Sequence, residues 1–217
     1  MNIATNIQKI EASLPPEVEL IAVSKTKPIE AIEQAYQAGQ RHFGENKVQE
    51  MVQKQELLHS DIKWHMIGHL QRNKVKYMAS FVHLIHGVDN LPLLKEINKQ
   101  GLKHNRTIDC LLQIKIAQEE TKFGLDPDLA QDILRSDEYA DLTHVCIVGV
   151  MGMASFTTDQ SQVKKEFDLL KSTFDLFQTY DINIQILSMG MSDDYPLAVE
   201  CGSTMVRVGS KIFGERN

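Results

Sequence analysis

Long apolar runs are missing from this sequence. No stretch of about 18 apolar residues occurs, which argues against a membrane-spanning helix. A basic excess is missing too. Twenty-three Lys and Arg face 29 Asp and Glu, giving a net charge of −6. General binders of nucleic acid or anionic membranes need a basic surface, so neither partner is expected; one local basic pocket for a small anion stays open. Cysteine is scarce. Cys110, Cys146 and Cys201 are odd in number and far apart; they read as reduced core thiols of a cytosolic protein rather than disulfides. No Pro-, Gly- or Ser-rich linker and no low-complexity stretch divides the chain, so residues 1–217 read as one domain. The first 14 residues set Ile3, Ile7 and Ile10 among Asn2, Gln8, Lys9 and Glu11. That pattern predicts an amphipathic helix, not a signal peptide.

What is present is an alternation. Short apolar runs occupy residues 20–24, 42–44, 62–68, 84–88, 108–116, 145–150, 184–187 and 205–208. Their continuous hydrophobicity suits parallel strands buried on both faces. Between them lie helical patterns: Ile29, Ile32, Ala35 and Tyr36; Val48, Met51 and Val52; Leu91, Leu94 and Ile97; and Val163, Phe167, Leu170, Phe174 and Phe177. Pro28 and Pro92 fall where helices begin, and Gly39 and Gly101 where they should stop. Eight β-then-α units in a chain of this length predict a (β/α)8 TIM-like barrel with an N-terminal helix. An open doubly wound sheet is the alternative.

On a barrel, reactive groups sit just past the C-terminal ends of the strands. Lys25 directly follows the first apolar run, in Ala22-Val23-Ser24-Lys25-Thr26-Lys27. A lysine at an apolar mouth loses hydration, which lowers its pKa and leaves an amine able to form a Schiff base. A solvated lysine capping the strand is the plainer reading, and Lys27 is a close competitor. Near the C-terminus, Ser188-Met189-Gly190-Met191-Ser192 follows run seven and Gly209-Ser210 follows run eight. Loops in these two places often build a phosphate site. Glycines admit a phosphate to the backbone, and Ser192 and Ser210 add hydroxyls. Helix capping by Ser192 is the alternative, with Asp193 and Asp194 facing away from any anion. An amine and a phosphate cradle together fit a phosphorylated aldehyde such as pyridoxal 5'-phosphate. Arg207, between the two loops, would donate to the pyridine nitrogen and keep it unprotonated, making the cofactor a weak electron sink; a salt bridge inside the barrel is its plainer role. His65 and His69, and His83 and His86, are spaced like metal ligands on a helix but fall on or near expected strands, so no metal is expected. Lys115 and Lys122 read as solvated loop lysines, and the methionines mostly as packing.

Several motifs in order then make the sequence recognisable: residues 22–27, Phe43-Gly44-Glu45-Asn46, Trp64-His65-Met66-Ile67-Gly68 with Leu70-Gln71-Arg72-Asn73-Lys74, Leu187-Ser188-Met189-Gly190-Met191-Ser192-Asp193, and Val206-Arg207-Val208-Gly209 with Ile212-Phe213-Gly214. The chain resembles the pyridoxal phosphate homeostasis protein family nearly end to end. That family is similar to the barrel domain of bacterial alanine racemase, a fold type III cofactor barrel. The resemblance implies that Lys25 carries the internal aldimine, that Ser192, Gly209 and Ser210 contact the phosphate, that Arg207 faces the pyridine nitrogen, and that Asn46 and Ile67 line the cofactor. His69 stands where the family more often has proline, and Ser210 where threonine is common.

Alanine racemases work with two opposed proton-transfer groups, a lysine and a tyrosine from a second domain. The sequence ends at Asn217, soon after the eighth run, and among its tyrosines only Tyr195 starts near the expected mouth. The expectation is therefore a non-catalytic binder that stores or delivers the cofactor, monomeric and cytoplasmic, with apo forms of cofactor-dependent enzymes as recipients. A racemase-like enzyme using Tyr195 or water as second base is one alternative. A Schiff-base aldolase acting on a phosphosugar is another.

Overall fold

The eight apolar runs pair edge to edge. The structure, a computed structural model, describes residues 2–117 and 123–215. Strands β1 (Glu19–Val23), β2 (His42–Glu45), β3 (Lys63–Met66), β4 (Leu84–Val88), β5 (Ile108–Gln113), β6 (Val145–Met151), β7 (Ile186–Ser188) and β8 (Met205–Val208) form a closed parallel barrel in sequence order. The ring shuts where β1 meets β8, with Leu20 opposite Val206 and Ile21 opposite Arg207. That pairing excludes the open sheet.

The helices are α1 (Ile3–Glu11), α2 (Ile29–Gln37), α3 (Val48–Leu57), α4 (Leu91–Lys103), α5 (Pro127–Leu134), α6 (Asp137–Ala140), α7 (Gln160–Gln178), α8 (Tyr195–Glu200) and α9 (Ser210–Phe213). Only a short helical turn, Arg72–Tyr77, joins β3 to β4. In α1, Asn2 caps the N-terminus by accepting from the Thr5 N–H at 3.1 Å. Ile3, Ile7 and Ile10 are its buried face, as their spacing predicts. Asn6 ties that helix to α9 by donating to the Ile212 carbonyl at 3.0 Å.

Strand side chains alternate between two cores. Leu20, Ala22, Phe43, Trp64, Met66, Val206 and Val208 point outward and join the helices in the larger core. Ile21, Leu84, Leu111, Met151 and Met205 form a separate inner cluster that fills the barrel. The longest helix, α7, sends Phe167, Leu170, Phe174 and Phe177 into the outer core. Each such burial contributes roughly 1.5–3 kcal/mol.

Two local expectations change. Gly101 does not end its helix: α4 continues to Lys103, and Asn105 takes the left-handed conformation instead, at φ 50°. A Cβ on Gly101 would lie 2.5 Å from the His144 carbonyl oxygen, so this glycine allows close packing rather than a stop. The three cysteines are free, but only Cys110 belongs to the core; Cys146 and Cys201 are half-buried.

Gly149 on β6 abuts β7 so closely that an added Cβ would overlap the Ile186 carbonyl oxygen. Gly149→Ala should part β6 from β7 and lower stability by more than about 2 kcal/mol, measurable by denaturant unfolding; an unchanged midpoint would contradict this register.

Candidate functional site

At the C-terminal ends of the strands lies a cleft of about 630 Å³, within the usual range for small-molecule sites. All seven residues singled out in the sequence border it: Lys25, Asn46, Ile67, Ser192, Arg207, Gly209 and Ser210. They come from the mouths of five strands, β1, β2, β3, β7 and β8. The barrel thus brings together residues up to 185 positions apart in a (25 to 210) numbering set by the chain.

The segment carrying Lys25 is held from below. Ser24 donates its hydroxyl to Glu45 Oε1 at 2.6 Å, and its N–H bonds the Gly44 carbonyl. Lys54 reaches up from α3 to the Ser24 carbonyl at 2.8 Å, Glu45 Oε1 at 2.7 Å and Glu50 Oε1 at 2.7 Å. Glu50 also accepts the Thr26 N–H at 2.6 Å. Thr26 is held at φ 63°, a left-handed conformation that this network imposes on a branched residue. Burial pushes the Glu45 carboxyl up, and the neighbouring Lys54 opposes that shift. The competitor, Lys27, borders the same cleft, but its ammonium donates to the carbonyls of Phe213, Gly214 and Glu215 at 3.2, 3.0 and 3.0 Å.

On the opposite side the β7 and β8 loops interlock. Gly190 has φ 96°, and a Cβ there would meet Ala198 Cβ at 2.7 Å, so the turn admits no side chain. Ser192 is not a helix cap. Its hydroxyl accepts the Gly209 N–H at 3.2 Å, which joins the two loops, and α8 begins after Asp194 instead. Both aspartates border the cleft, and the Asp194 carboxylate accepts the Met191 N–H of its own loop at 2.5 Å. Arg207 is fully buried, and in place of a salt bridge its guanidinium donates to Ser188 Oγ at 2.6 Å and the Gly152 carbonyl at 3.0 Å. Burial lowers its pKa to about 10, with Asp194 acting the other way; it stays charged at neutral pH.

Behind Arg207 runs a file of polar groups that the sequence did not reveal. Ser188 Oγ lies 3.2 Å from His86 Nδ1, His86 Nε2 lies 3.0 Å from His65 Nδ1, and His65 Nε2 lies 3.0 Å from His42 Nδ1. Arginine can only donate, so Ser188 Oγ accepts from it; the file of imidazoles can carry its hydrogens in either direction, according to their tautomers. The sequence-spaced pairs, His65 with His69 and His83 with His86, do not form a site, as their place on or near strands implies. His65 instead meets His42 and His83 across the strands, because neighbouring strands lie closer together than successive same-face residues along one strand. His69 leaves the barrel interior, stacks on Phe123 with centroids 4.3 Å apart and borders the cleft.

Other expectations resolve as follows. Tyr195 is buried with its hydroxyl 3.2 Å from Ser13 Oγ, directed at the segment after α1 and not at the cleft. Lys115 is not among the cleft-lining residues, and Lys122 lies outside the described residues. Met153 and Met191 border the cleft, while Met151 packs the barrel interior.

A parallel barrel with a lysine after strand one and paired loops after strands seven and eight defines a class, and comparison with known proteins agrees. The family model for the alanine racemase N-terminal domain matches residues 1–217. A relative from Haemophilus influenzae, a pyridoxal phosphate homeostasis protein, is 40% identical over 232 aligned residues, covering 100% of this chain and 97% of that one. PipY of Synechococcus elongatus, solved with PLP bound, superimposes with a TM-score of 0.89 at 36% identity, covering 98% of this chain and 100% of that one. An alanine racemase from Clostridium difficile gives a TM-score of 0.82 at 15% identity, with 99% of this chain matching 60% of that one; this shows the shared fold alone. The chain belongs to the alanine racemase N-terminal domain family, on the branch of the pyridoxal phosphate homeostasis proteins.

Removing one partner of a buried ion pair costs about 3–5 kcal/mol. Lys54→Met should therefore destabilise the fold by about 3 kcal/mol in urea unfolding, and a neutral result would contradict the buried pair. The histidines generate a pH dependence. Burial holds His65 and His86 well below the ordinary imidazole range; burial, then Lys63 and His83, lower His42 to about 4. The unfolded chain takes up these protons near pH 6.5 and the folded chain does not. Their stabilising contribution is thus complete above about pH 6.5 and is lost as pH falls toward the folded values, by up to about 1.4 kcal/mol per pH unit per imidazole. Urea unfolding at a series of pH values should show this slope, reduced in His42→Asn.

Proposed function

We propose that this protein binds pyridoxal phosphate at the barrel mouth and stores or delivers it, without turning over amino acids. One observation carries the proposal: the seven residues chosen from the sequence border a single cleft, in a chain 36% identical to a relative solved with PLP bound.

The donor set fits the cofactor. Lys25, two residues past β1 at the barrel mouth, is the amine that would hold its aldehyde; the Lys27 ammonium donates to three carbonyls of the C-terminal segment. Ser192, Ser210 and the backbone at Gly209 would hold the phosphate. Gly209 packs so close to β1 that a Cβ would lie 3.2 Å from the Val23 carbonyl oxygen, which brings the phosphate loop beside the segment bearing Lys25. Arg207 has five N–H groups; Ser188 and Gly152 fix the guanidinium plane, and the side chain borders the cleft with donors to offer a ring nitrogen. Asn46 and Ile67 would flank the ring. When bound, pyridoxal phosphate supplies an aldehyde for capture by an amine and a ring that accepts electrons. A charged arginine beside the ring nitrogen donates a hydrogen bond but no proton, which restrains that electron-accepting capacity.

Carriage is favoured over turnover because the tyrosine that serves racemases as second base has no counterpart among the described residues of the cleft. Among the described residues that line the cleft there is no tyrosine, and the Tyr195 hydroxyl is spent on Ser13. Two-sided proton exchange needs opposed groups within reach of one carbon. The whole chain, 1–217, would act as one binding unit, as a monomer, with apo forms of cofactor-dependent enzymes as recipients. Three free thiols are at home in a reducing cytoplasm.

The test is borohydride reduction of protein incubated with pyridoxal phosphate, followed by peptide mass spectrometry. A phosphopyridoxyl group on the Lys25 peptide, absent from Lys25→Ala and retained in Lys27→Ala, is expected. The same protein should release no α-deuterium from amino acids above the level of free cofactor. An adduct elsewhere would overturn the assignment of Lys25, and Lys25-dependent exchange would overturn the carrier role.

A further inference from the structure

The N-terminal end of the barrel, opposite the cleft, holds a second cluster with its own chemistry. His42 opens β2, His83 stands just before β4, and His65 projects from β3 between them. One ring nitrogen from each lies within 4.8 Å of the others. His42 Nδ1 and His65 Nε2 are 3.0 Å apart, and the His83 ring stands edge-on to both, with centroids 5.6 and 5.2 Å away. Two imidazole nitrogens on one tetrahedral zinc sit about 3.3 Å apart, given bonds of about 2.0–2.1 Å. The His42 and His65 nitrogens are already near that spacing, and the His83 nitrogen, within 4.8 Å of both, has to move only a short way to complete it.

We propose that His42, His65 and His83 form a binding site for a divalent transition metal ion of the zinc class, with water in the open position toward solvent. The outer partners support this. A ligating histidine ordinarily gives its other N–H to a carboxylate or another acceptor, which fixes the ring. His42 Nε2 faces Glu19 Oε1 at 3.5 Å, leaving Nδ1 for the metal. His65 Nδ1 faces His86 Nε2 at 3.0 Å, leaving Nε2. The Asp109 carboxylate acts on His83. His65 is buried while His42 and His83 are half-buried at the rim, so an ion can enter from solvent. Three neutral nitrogen donors suit zinc, copper, nickel or cobalt over calcium or magnesium. The charges nearby are mixed: Lys63 and Arg106 disfavour a cation, Glu19 and Asp109 favour one. Occupation requires His65 to carry its proton on Nδ1, toward His86, and no proton has to leave the protein.

The test is calorimetric titration with Zn2+ of the protein as purified, alongside His42→Asn, His83→Gln and Lys25→Ala, each checked for folding by circular dichroism. His42 and His83 lie at the rim, so their replacement spares the core. One equivalent is expected in the wild type and in Lys25→Ala. Either histidine variant should weaken binding by at least about tenfold, the scale that even an outer partner of a ligand commands. Absence of saturable one-equivalent binding would overturn the site. So would histidine variants that bind within about tenfold of wild type, or loss of binding in Lys25→Ala, which would move the ion to the cleft. The result is independent of whether the cleft carries pyridoxal phosphate.

Discussion

Pairing of β1 with β8 is the constraint on which the rest of the molecule depends. Ile21 lies opposite Arg207 and Ala22 opposite Val208. That register carries Lys25, three residues past Ala22, up to the loop that begins at Gly209. A closed ring also removes every exposed strand edge, which an open sheet of eight strands would have to protect. Because the strands are parallel, all their C-terminal ends lie at one mouth, and side chains from five of them can share one small cleft.

Inside that ring the polar groups are as organised as the apolar ones. Ser24, Glu45, Lys54 and Glu50 fasten the lysine-bearing loop to β2 and α3. Ser188, His86, His65 and His42 connect the buried arginine at the mouth to the opposite rim. Such networks are costly unless every member finds a partner. One network fastens the backbone on either side of Lys25, and the other fixes the Arg207 guanidinium. The same file links the cofactor cleft to the histidine cluster, so the two ends of the barrel share one hydrogen-bonded spine.

Strand positions were legible because hydrophobicity does not depend on the partner. The runs at 84–88 and 205–208 coincide with β4 and β8. Boundaries shifted where an apolar run continues past the paired residues: the run at 62–68 narrows to β3, since Ile67 and Gly68 turn into the cleft. Gly101 misled because a glycine chosen for close approach to His144 looks, in sequence, like one chosen to end a helix. Helix capping, the alternative for Ser192, does not form, because a hydroxyl near a helix start can serve either its own helix or a neighbouring loop, and here it serves Gly209. The histidines were weighed by their separation along the chain, whereas His42, His65 and His83 meet through the register of β2, β3 and β4.

The sequence alone determined the parallel strands and the order of units, because each follows from local pattern, apolar runs and helical spacing; the same pattern put Lys25, Gly209 and Ser210 just past a strand, whereas Asn46 and Ile67 came from the family resemblance. Tertiary structure decided that the Lys27 ammonium meets three carbonyls of the C-terminal segment, where the Tyr195 hydroxyl points, that Arg207 rests on Ser188 and Gly152 in place of a salt bridge, and that three distant histidines converge. Those outcomes depend on which strands become neighbours and on their stagger, and a chain carries that information only once the ring has closed.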